Sequence, residues 1–423
     1  MLKVLINCYA CCPGMGSEPG MGWNWVTGIA RHCEVYVISE GEFRKQAEAG
    51  SRDLPIHWHW NPIHERVRQM CWNQGDWRFY FHYEKWQRRT AQIAEEICRS
   101  EKIDILHQLN MIGFREPGYL WKLSRRWGIP FVWGPIGGLK QYPMAYADGG
   151  GIRMQMFLWV KNLLNHCQLL CAPRVHAALR QASVLISSIP DSEKALRRIK
   201  GINSIIIPET GCVDHTDNAP VVRDFLAPKL RVMWVGKFDF RKRLDIALRA
   251  FAEADNPDIE LEVWGGGSEA QDKQAKALWD TIGKDRLKVR WMGNRTHDEV
   301  LQAMKEAHVF LFTSVSEDTS TVVMEAISSH LPIICFDCCG MGYVVDEKVG
   351  RKVTLTNPKQ SVHEIAAILN EFHTHRDLLQ QISLRCADRA KELSWKSKME
   401  KLLAIYHSVV KSQRGKKYLL CML

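Results

Sequence analysis

A chain of 423 residues is longer than one hydrophobic core usually supports, so its length predicts two domains of roughly 200 residues each. With 46% apolar and 25% charged residues, its composition is that of a folded globular protein and excludes a disordered or fibrous chain. The formal net charge of +10 is uneven: residues 1–214 hold 26 Lys and Arg against 19 Asp and Glu, and the remainder holds 31 against 28.

The chain opens on MLKVLINCYACCPGMG, where Asn7 and a Gly/Pro cluster break the apolar run almost at once, so no secretory signal is expected. Strand-like runs follow in order: KVLINCYA (3–10), EVYVISE (34–40), IHWHWN (56–61), IDILHQL (103–109), PFVWGP (130–135), SVLISS (183–188) and SIIIPE (204–209). A second series begins at LRVMWVGKF (230–238). It continues through IELEVWGGG (259–267), LKVRWMGN (287–294), HVFLFTSV (308–315), PIICFD (332–337) and RKVTL (351–355). Longer segments of helical period separate these runs, which predicts two doubly wound α/β units with parallel sheets. The boundary falls in the polar, proline-bearing stretch 211–230.

Two segments between the strands bear on partners. Residues 67–89 interleave Arg and Lys with aromatics, and residues 1–214 hold 11 of the 16 Trp. The stretch reads either as an amphipathic helix with a solvated basic face or as a contact for an anionic membrane or substrate. Residues 153–171, RMQMFLWVKNLLNHCQLLC, are interrupted too often by polar residues to cross a bilayer; they read as a helix lying on one or as a buried helix. No zinc-finger spacing, RNP-like segment or basic zipper is present, so nucleic acid is not an expected partner. Fourteen cysteines without a signal point to reduced thiols in the cytoplasm. The C-x-x-C spacings Cys8/Cys11 and Cys335/Cys338 lack the companions of a zinc or redox site, and no metal is expected.

Four loops at strand ends carry candidate chemistry. CPGMGSEPGMG offers Gly14, Gly16, Gly20 and Gly22 before the first helix, where amides and close backbone approach suit an anion, although no G-x-G-x-x-G occurs. VGKFDFRKRLD ends a strand at Gly236 and crowds Lys237, Arg241, Lys242 and Arg243 ahead of a helix, an arrangement that an arriving anion would favour. VWGGGSE places Gly265 and Gly267 in a further strand-to-helix turn. SVSEDTSTVVMEA sets Thr319, Ser320 and Thr321 at a helix start, with Glu317 just before it and Glu325 about one and a half turns in.

These four motifs, in this order, resemble the retaining GT-B glycosyltransferases of sequence family four, the glycosyl transferases group 1. The likeness runs nearly the whole length of the chain and is strongest at the E-x7-E pair Glu317/Glu325 followed by CCGMGYVV. The resemblance implies an α/β GT-B fold: two Rossmann-like doubly wound domains facing across a cleft, an acceptor-binding domain at 1–215 and a nucleotide-sugar-binding domain at 216–395, with a C-terminal helix of about 396–423 packing back on the first. It implies that Glu325 binds the ribose and Glu317 the transferred sugar. Lys237 and Lys242 neutralise the diphosphate with the 319–321 amides, and Gly236, Gly265 and Gly267 line the nucleotide site. Gly14, Gly16 and His107 fall on the acceptor side, His107 also reading as a satisfied core histidine. Position 237 is Lys where the family usually has Arg, 318–320 replace a Gly/Phe-rich loop, and Trp133 or Gly134 stands where many relatives carry His.

The expected activity is hexosyl-type transfer from a nucleotide diphosphate-sugar to a hydroxyl of a saccharide or lipid-linked saccharide, with retention and without metal or cofactor. It would serve polysaccharide or glycoconjugate biosynthesis, in the cytoplasm or peripherally on the inner face of the membrane. The rival is a non-catalytic GT-B scaffold that keeps nucleotide affinity and has lost transfer.

Overall fold

The computed structural model describes residues 1–73, 76–213, 221 and 223–421; positions 74–75 of the basic aromatic stretch, 214–220 and 222 of the expected linker, and 422–423 of the terminal helix lie outside them. Two compact units divide the chain. Unit 1 gathers Met1–Leu139, Asn165–Glu209 and the segment from Trp395 onward; unit 2 gathers Lys140–Leu164 and Thr210–Ser394.

Unit 1 is built on β1 (Lys3–Cys8), β2 (Glu34–Ser39), β3 (Ile56–Trp60), β4 (Ile105–Asn110), β5 (Phe131–Ile136), β6 (Val184–Ser187) and β7 (Ile205–Ile206). They form one sheet in the order β3-β2-β1-β4-β5-β6-β7, and every pairing is parallel. The central strands are buried along nearly their whole length, as a sheet covered on both faces requires. One face packs Trp25, Val26 and Ile29 of the helix Ser17–Ala30 with Met399, Leu402 and Tyr406 of the last helix, Trp395–Cys421. Lys398 fixes that last helix further, donating from Nζ to the Pro208 carbonyl at 2.6 Å.

Unit 2 holds β8 (Leu230–Val235), β9 (Ile259–Trp264), β10 (Lys288–Gly293), β11 (Val309–Phe312), β12 (Ile333–Phe336) and β13 (Gly350–Val353). The order is β10-β9-β8-β11-β12-β13, again wholly parallel. Each of the thirteen expected runs overlaps one of these strands, and ten contain theirs whole. In both sheets the order reverses between the first strand and the fourth, β1/β4 and β8/β11, and beyond such a switch point the two outgoing loops diverge and leave a crevice.

The basic aromatic stretch is not one helix. It contributes to two, Glu65–Trp72 and Phe79–Ser100, and Phe79, Tyr83 and Trp86 turn inward onto Tyr9. Residues 153–171 fall in the helix Gly151–Cys171, which starts in unit 2 and ends in unit 1 and, contrary to the buried alternative, leaves most of its side chains exposed. The thirteen described cysteines form no disulfide. Among the described residues no helix is long and apolar enough to cross a membrane, and no three His, Cys, Asp or Glu converge as a metal site.

Candidate active site

The switch point of unit 2 sends out two loops, 236–243 after β8 and 313–320 after β11. They are tied together by backbone and side chain. Val315 N–H donates to the Arg241 carbonyl at 3.0 Å, and Thr313 Oγ1 donates to the Lys242 carbonyl at 2.7 Å while accepting from Trp234 Nε1 at 2.9 Å. Asp239 shapes the first loop from within, its Oδ1 accepting the amides of Arg241 (2.9 Å) and Lys242 (3.2 Å). The consequence is that Lys242 Nζ meets Glu317 Oε1 at 2.5 Å and lies 4.8 Å from the centre of the Phe312 ring. Both partners are only 13% exposed, so removing either strands the other charge away from bulk water.

The other two cations of that loop are spent locally. Arg241 pairs with Asp239 at 2.9 Å. Arg243, 3% exposed, forks onto both Asp245 oxygens at 2.9 and 2.8 Å and donates to the Tyr146 carbonyl at 2.7 Å. Of the four cations expected to gather for an anion, Arg241, Lys242 and Arg243 each already hold a carboxylate, and the exposed Lys237 makes no hydrogen bond or ion pair among the described residues.

The helix Thr321–Ser328 begins directly beyond Glu317. Ser320 is its cap residue, yet its side chain makes no capping bond and no acidic residue stands in the first turn. The Ser320 carbonyl accepts from Val323 and Met324 at 3.1 and 3.3 Å, whereas the Thr321 and Val322 amides make no hydrogen bond among the described residues. Thr319 and Ser320 are buried and Thr321 is exposed. The turn after β12 supports this loop from behind, Gly340 N–H donating to the Asp318 carbonyl at 3.2 Å, and Lys140 Nζ approaches Asp318 Oδ1 at 3.1 Å. Glu325, half-buried in the helix, holds His297 Nε2 at 2.8 Å. His297 opens the helix His297–Glu306, whose cap is the reciprocal Thr296/Glu299 box.

The glycines after β8 and β9 serve close approach. Gly265 has φ +115°, and a Cβ there would fall 2.1 Å from the Gly236 carbonyl. Their amides are occupied: Gly236 donates to Trp264 O at 3.0 Å, Gly265 to Gly293 O at 2.9 Å and Gly267 to Asp272 Oδ1 at 2.8 Å. Ser268 then caps the helix Glu269–Ile282 in a full capping box with Gln271. These three glycines place the strand ends; they do not present unpaired amides.

In unit 1, Gly14 (φ +70°) and Gly16 stand in open space before the first helix, while Gly20 and Gly22 lie inside it, where a Cβ would strike the Met15 and Ala10 carbonyls. His107 is fully buried on β4. Its Nε2–H donates to the Gly134 carbonyl at 2.7 Å, and its Nδ1 lies 2.5 Å from the Tyr406 hydroxyl, from which a neutral ring accepts. Burial agrees, holding its pKa down to about 4. His107 is thus a satisfied core histidine that ties the last helix to β4. Sequence reasoning missed Lys140 and His297; the T-x-x-E box at 296–299 marks where the second helix starts, but no pattern in the chain pairs His297 with Glu325.

Residues 229–372 match the family model described as glycosyl transferases group 1. A stretch of 100 residues is 33% identical to the UDP-N-acetylglucosamine–peptide N-acetylglucosaminyltransferase GtfA subunit of Streptococcus agalactiae, covering 23% of this chain and 18% of that one. The chain therefore spans under a fifth of the length of the curated relatives it matches, 18% and 17%. Among solved structures it is similar to Anabaena HepE in complex with UDP, with a TM-score of 0.61 at 14% identity over 96% of this chain and 100% of that one. It is equally similar to sucrose-phosphate synthase from Thermosynechococcus elongatus, with a TM-score of 0.61 at 15% identity over 97% and 100%. Identities this low speak for the fold alone. By its pair of wholly parallel sheets and its likeness to these structures the chain has the GT-B fold, and its segment 229–372 is that of the glycosyl transferases group 1.

Proposed function

We propose that the chain transfers a sugar from a nucleotide diphosphate donor to a hydroxyl of a saccharide or lipid-linked saccharide, with retention at the anomeric carbon. The observation that carries this reading is the Lys242–Glu317 pair, 2.5 Å apart beside an uncapped helix start at the switch point of unit 2. A diphosphate offers Lys242 more negative charge than one carboxylate does, so Lys242 passes to the diphosphate and Glu317 is released to accept hydrogen bonds from sugar hydroxyls. Lys237 and the Thr321 and Val322 amides add to the same charge, with Thr319 and Ser320 shaping the turn. Glu325, oriented by His297, takes the ribose hydroxyls. The complex of Anabaena HepE with UDP and the UDP-sugar donor in the streptococcal relative's name support a nucleotide-sugar for this chain.

In the reaction the bond from the anomeric carbon to the donor phosphate breaks, the ring becomes oxocarbenium-like, and the acceptor oxygen bonds to the same face while its proton passes to a phosphate oxygen. Fixed cations and amides aimed at the departing diphosphate supply most of the rate, the work a divalent ion does in other transferases. The acceptor belongs on the side of Gly14 and Gly16, and the reading places the reaction in the cytoplasm, in polysaccharide or glycoconjugate synthesis.

The test is a thermal-shift series with UDP, GDP, ADP and their sugars, followed by donor hydrolysis by wild type and Glu317→Ala. One nucleotide raises the melting midpoint and the substitution removes turnover. Binding without turnover in the wild type makes the chain a scaffold instead.

A further inference from the structure

The helix Gly151–Cys171 carries apolar side chains on its outward face as well as on its inward one. Its inward stripe holds Asn162, whose Oδ1 accepts the Tyr142 amide and whose Nδ2 donates to the Tyr142 carbonyl, both at 2.9 Å, beside the apolar Met154 and Leu158. Outward go Ile152, Met156, Phe157, Trp159, Leu163 and Leu164, the first four 77%, 63%, 61% and 58% exposed. At 100° per residue these fill an arc of roughly 160° opposite the stripe that holds Asn162. The two bonds to Tyr142 fix the rotation of the helix, so the apolar face is held outward.

Charge says what covers it. No Asp or Glu occurs between Asp148 and Asp191, while Arg153, Lys161, Arg174 and Arg180 do. Arg153 and Lys161 are exposed, and the helical period puts Lys161 at one border of the apolar arc and Arg153 within it. A second copy of the helix would bring Lys161 against Lys161 at the centre of an antiparallel pair, with no carboxylate on either helix to offset them. The arc is also wider than a two-helix seam, which takes a narrower stripe. An anionic bilayer meets both features: it accepts any arc width, its phosphates suit the Arg and Lys of the exposed face, and Trp suits the headgroup boundary.

We propose that the helix Gly151–Cys171 docks the chain on an anionic lipid surface, lying in its plane with Met156, Phe157, Trp159 and Leu163 inserted among the acyl chains. The inference stands apart from the transfer reaction and is read without it.

The test is co-sedimentation of the full chain with vesicles of phosphatidylcholine alone or mixed with phosphatidylglycerol, at low salt. Wild type sediments with the anionic vesicles, and the triple variant Met156→Glu/Trp159→Glu/Leu163→Glu loses about tenfold or more in binding. Leu226→Glu, at a position 90% exposed elsewhere in unit 2, changes nothing. Phe157→Lys/Leu164→Lys removes apolar area while adding positive charge, and its binding falls. Wild type left in solution, a triple variant that binds like wild type with an unchanged melting midpoint, or stronger binding by Phe157→Lys/Leu164→Lys would each overturn the proposal. So would a dimer that the triple variant splits without any effect of vesicles, which assigns the face to a second copy.

Discussion

The turn after β9 and the turn after β11 both lead from a parallel strand into a helix through small residues, GGGS in one and DTST in the other. After β9 the chain supplies its own partners: Gly265 and Gly267 donate to Gly293 and Asp272, Ser268 closes a capping box, and Glu269 and Asp272 set negative charge at the helix start. After β11 the cap side chain makes no bond, the first turn has no carboxylate, and the Thr321 and Val322 amides make no hydrogen bond among the described residues. Both turns read as anion cradles in sequence. The difference teaches that a helix start is a site for an incoming anion only where its donors and its dipole have not been used by the fold itself.

The comparison breaks most visibly at Lys242. Lys242→Ala removes the charge beside the open helix start, and turnover with the accepted donor falls about 10²–10³-fold, measured as kcat/KM. A variant with wild-type turnover would move the diphosphate elsewhere. On the closed side the expected effect is structural. Gly265→Ala must place a Cβ 2.1 Å from the Gly236 carbonyl at φ +115°, and denaturant titration shows a loss of about 2–4 kcal/mol. If instead it melts like wild type, the two strand ends approach less closely than described. A smaller change sharpens the open side: His297→Ala frees Glu325 from its 2.8 Å partner and weakens nucleotide binding roughly threefold to tenfold by calorimetry, with the melting midpoint nearly unchanged.

The fold was largely legible because parallel strands buried on both faces read as unbroken apolar runs, and each such run overlaps a strand. The Glu317/Glu325 spacing and the Lys242 loop were legible for the same reason, lying at strand ends fixed by those runs. What was not legible depended on partners far along the chain. Arg241 and Arg243 read as available cations until Asp239, Asp245 and the Tyr146 carbonyl are seen to hold them. His107 read as either a site or a core residue, and only Tyr406, 299 positions on, decides for the core. Residues 153–171 read as a helix lying on a bilayer or as a buried one, and only the bonds of Asn162 to Tyr142 show which face turns inward.

Proline tests the comparison most directly, because at the first helical position it deletes one amide and leaves the helix intact. Ser320 and Ser268 both precede their helices with extended ψ, 127° and 160°, so each tolerates a following proline. Calorimetric titration of Thr321→Pro and Glu269→Pro with whichever of UDP, GDP or ADP binds wild type best should show Thr321→Pro weakened at least about tenfold and Glu269→Pro unchanged. Equal affinities in the two variants, or a loss confined to Glu269→Pro, would contradict a diphosphate seat at the Thr321 helix start.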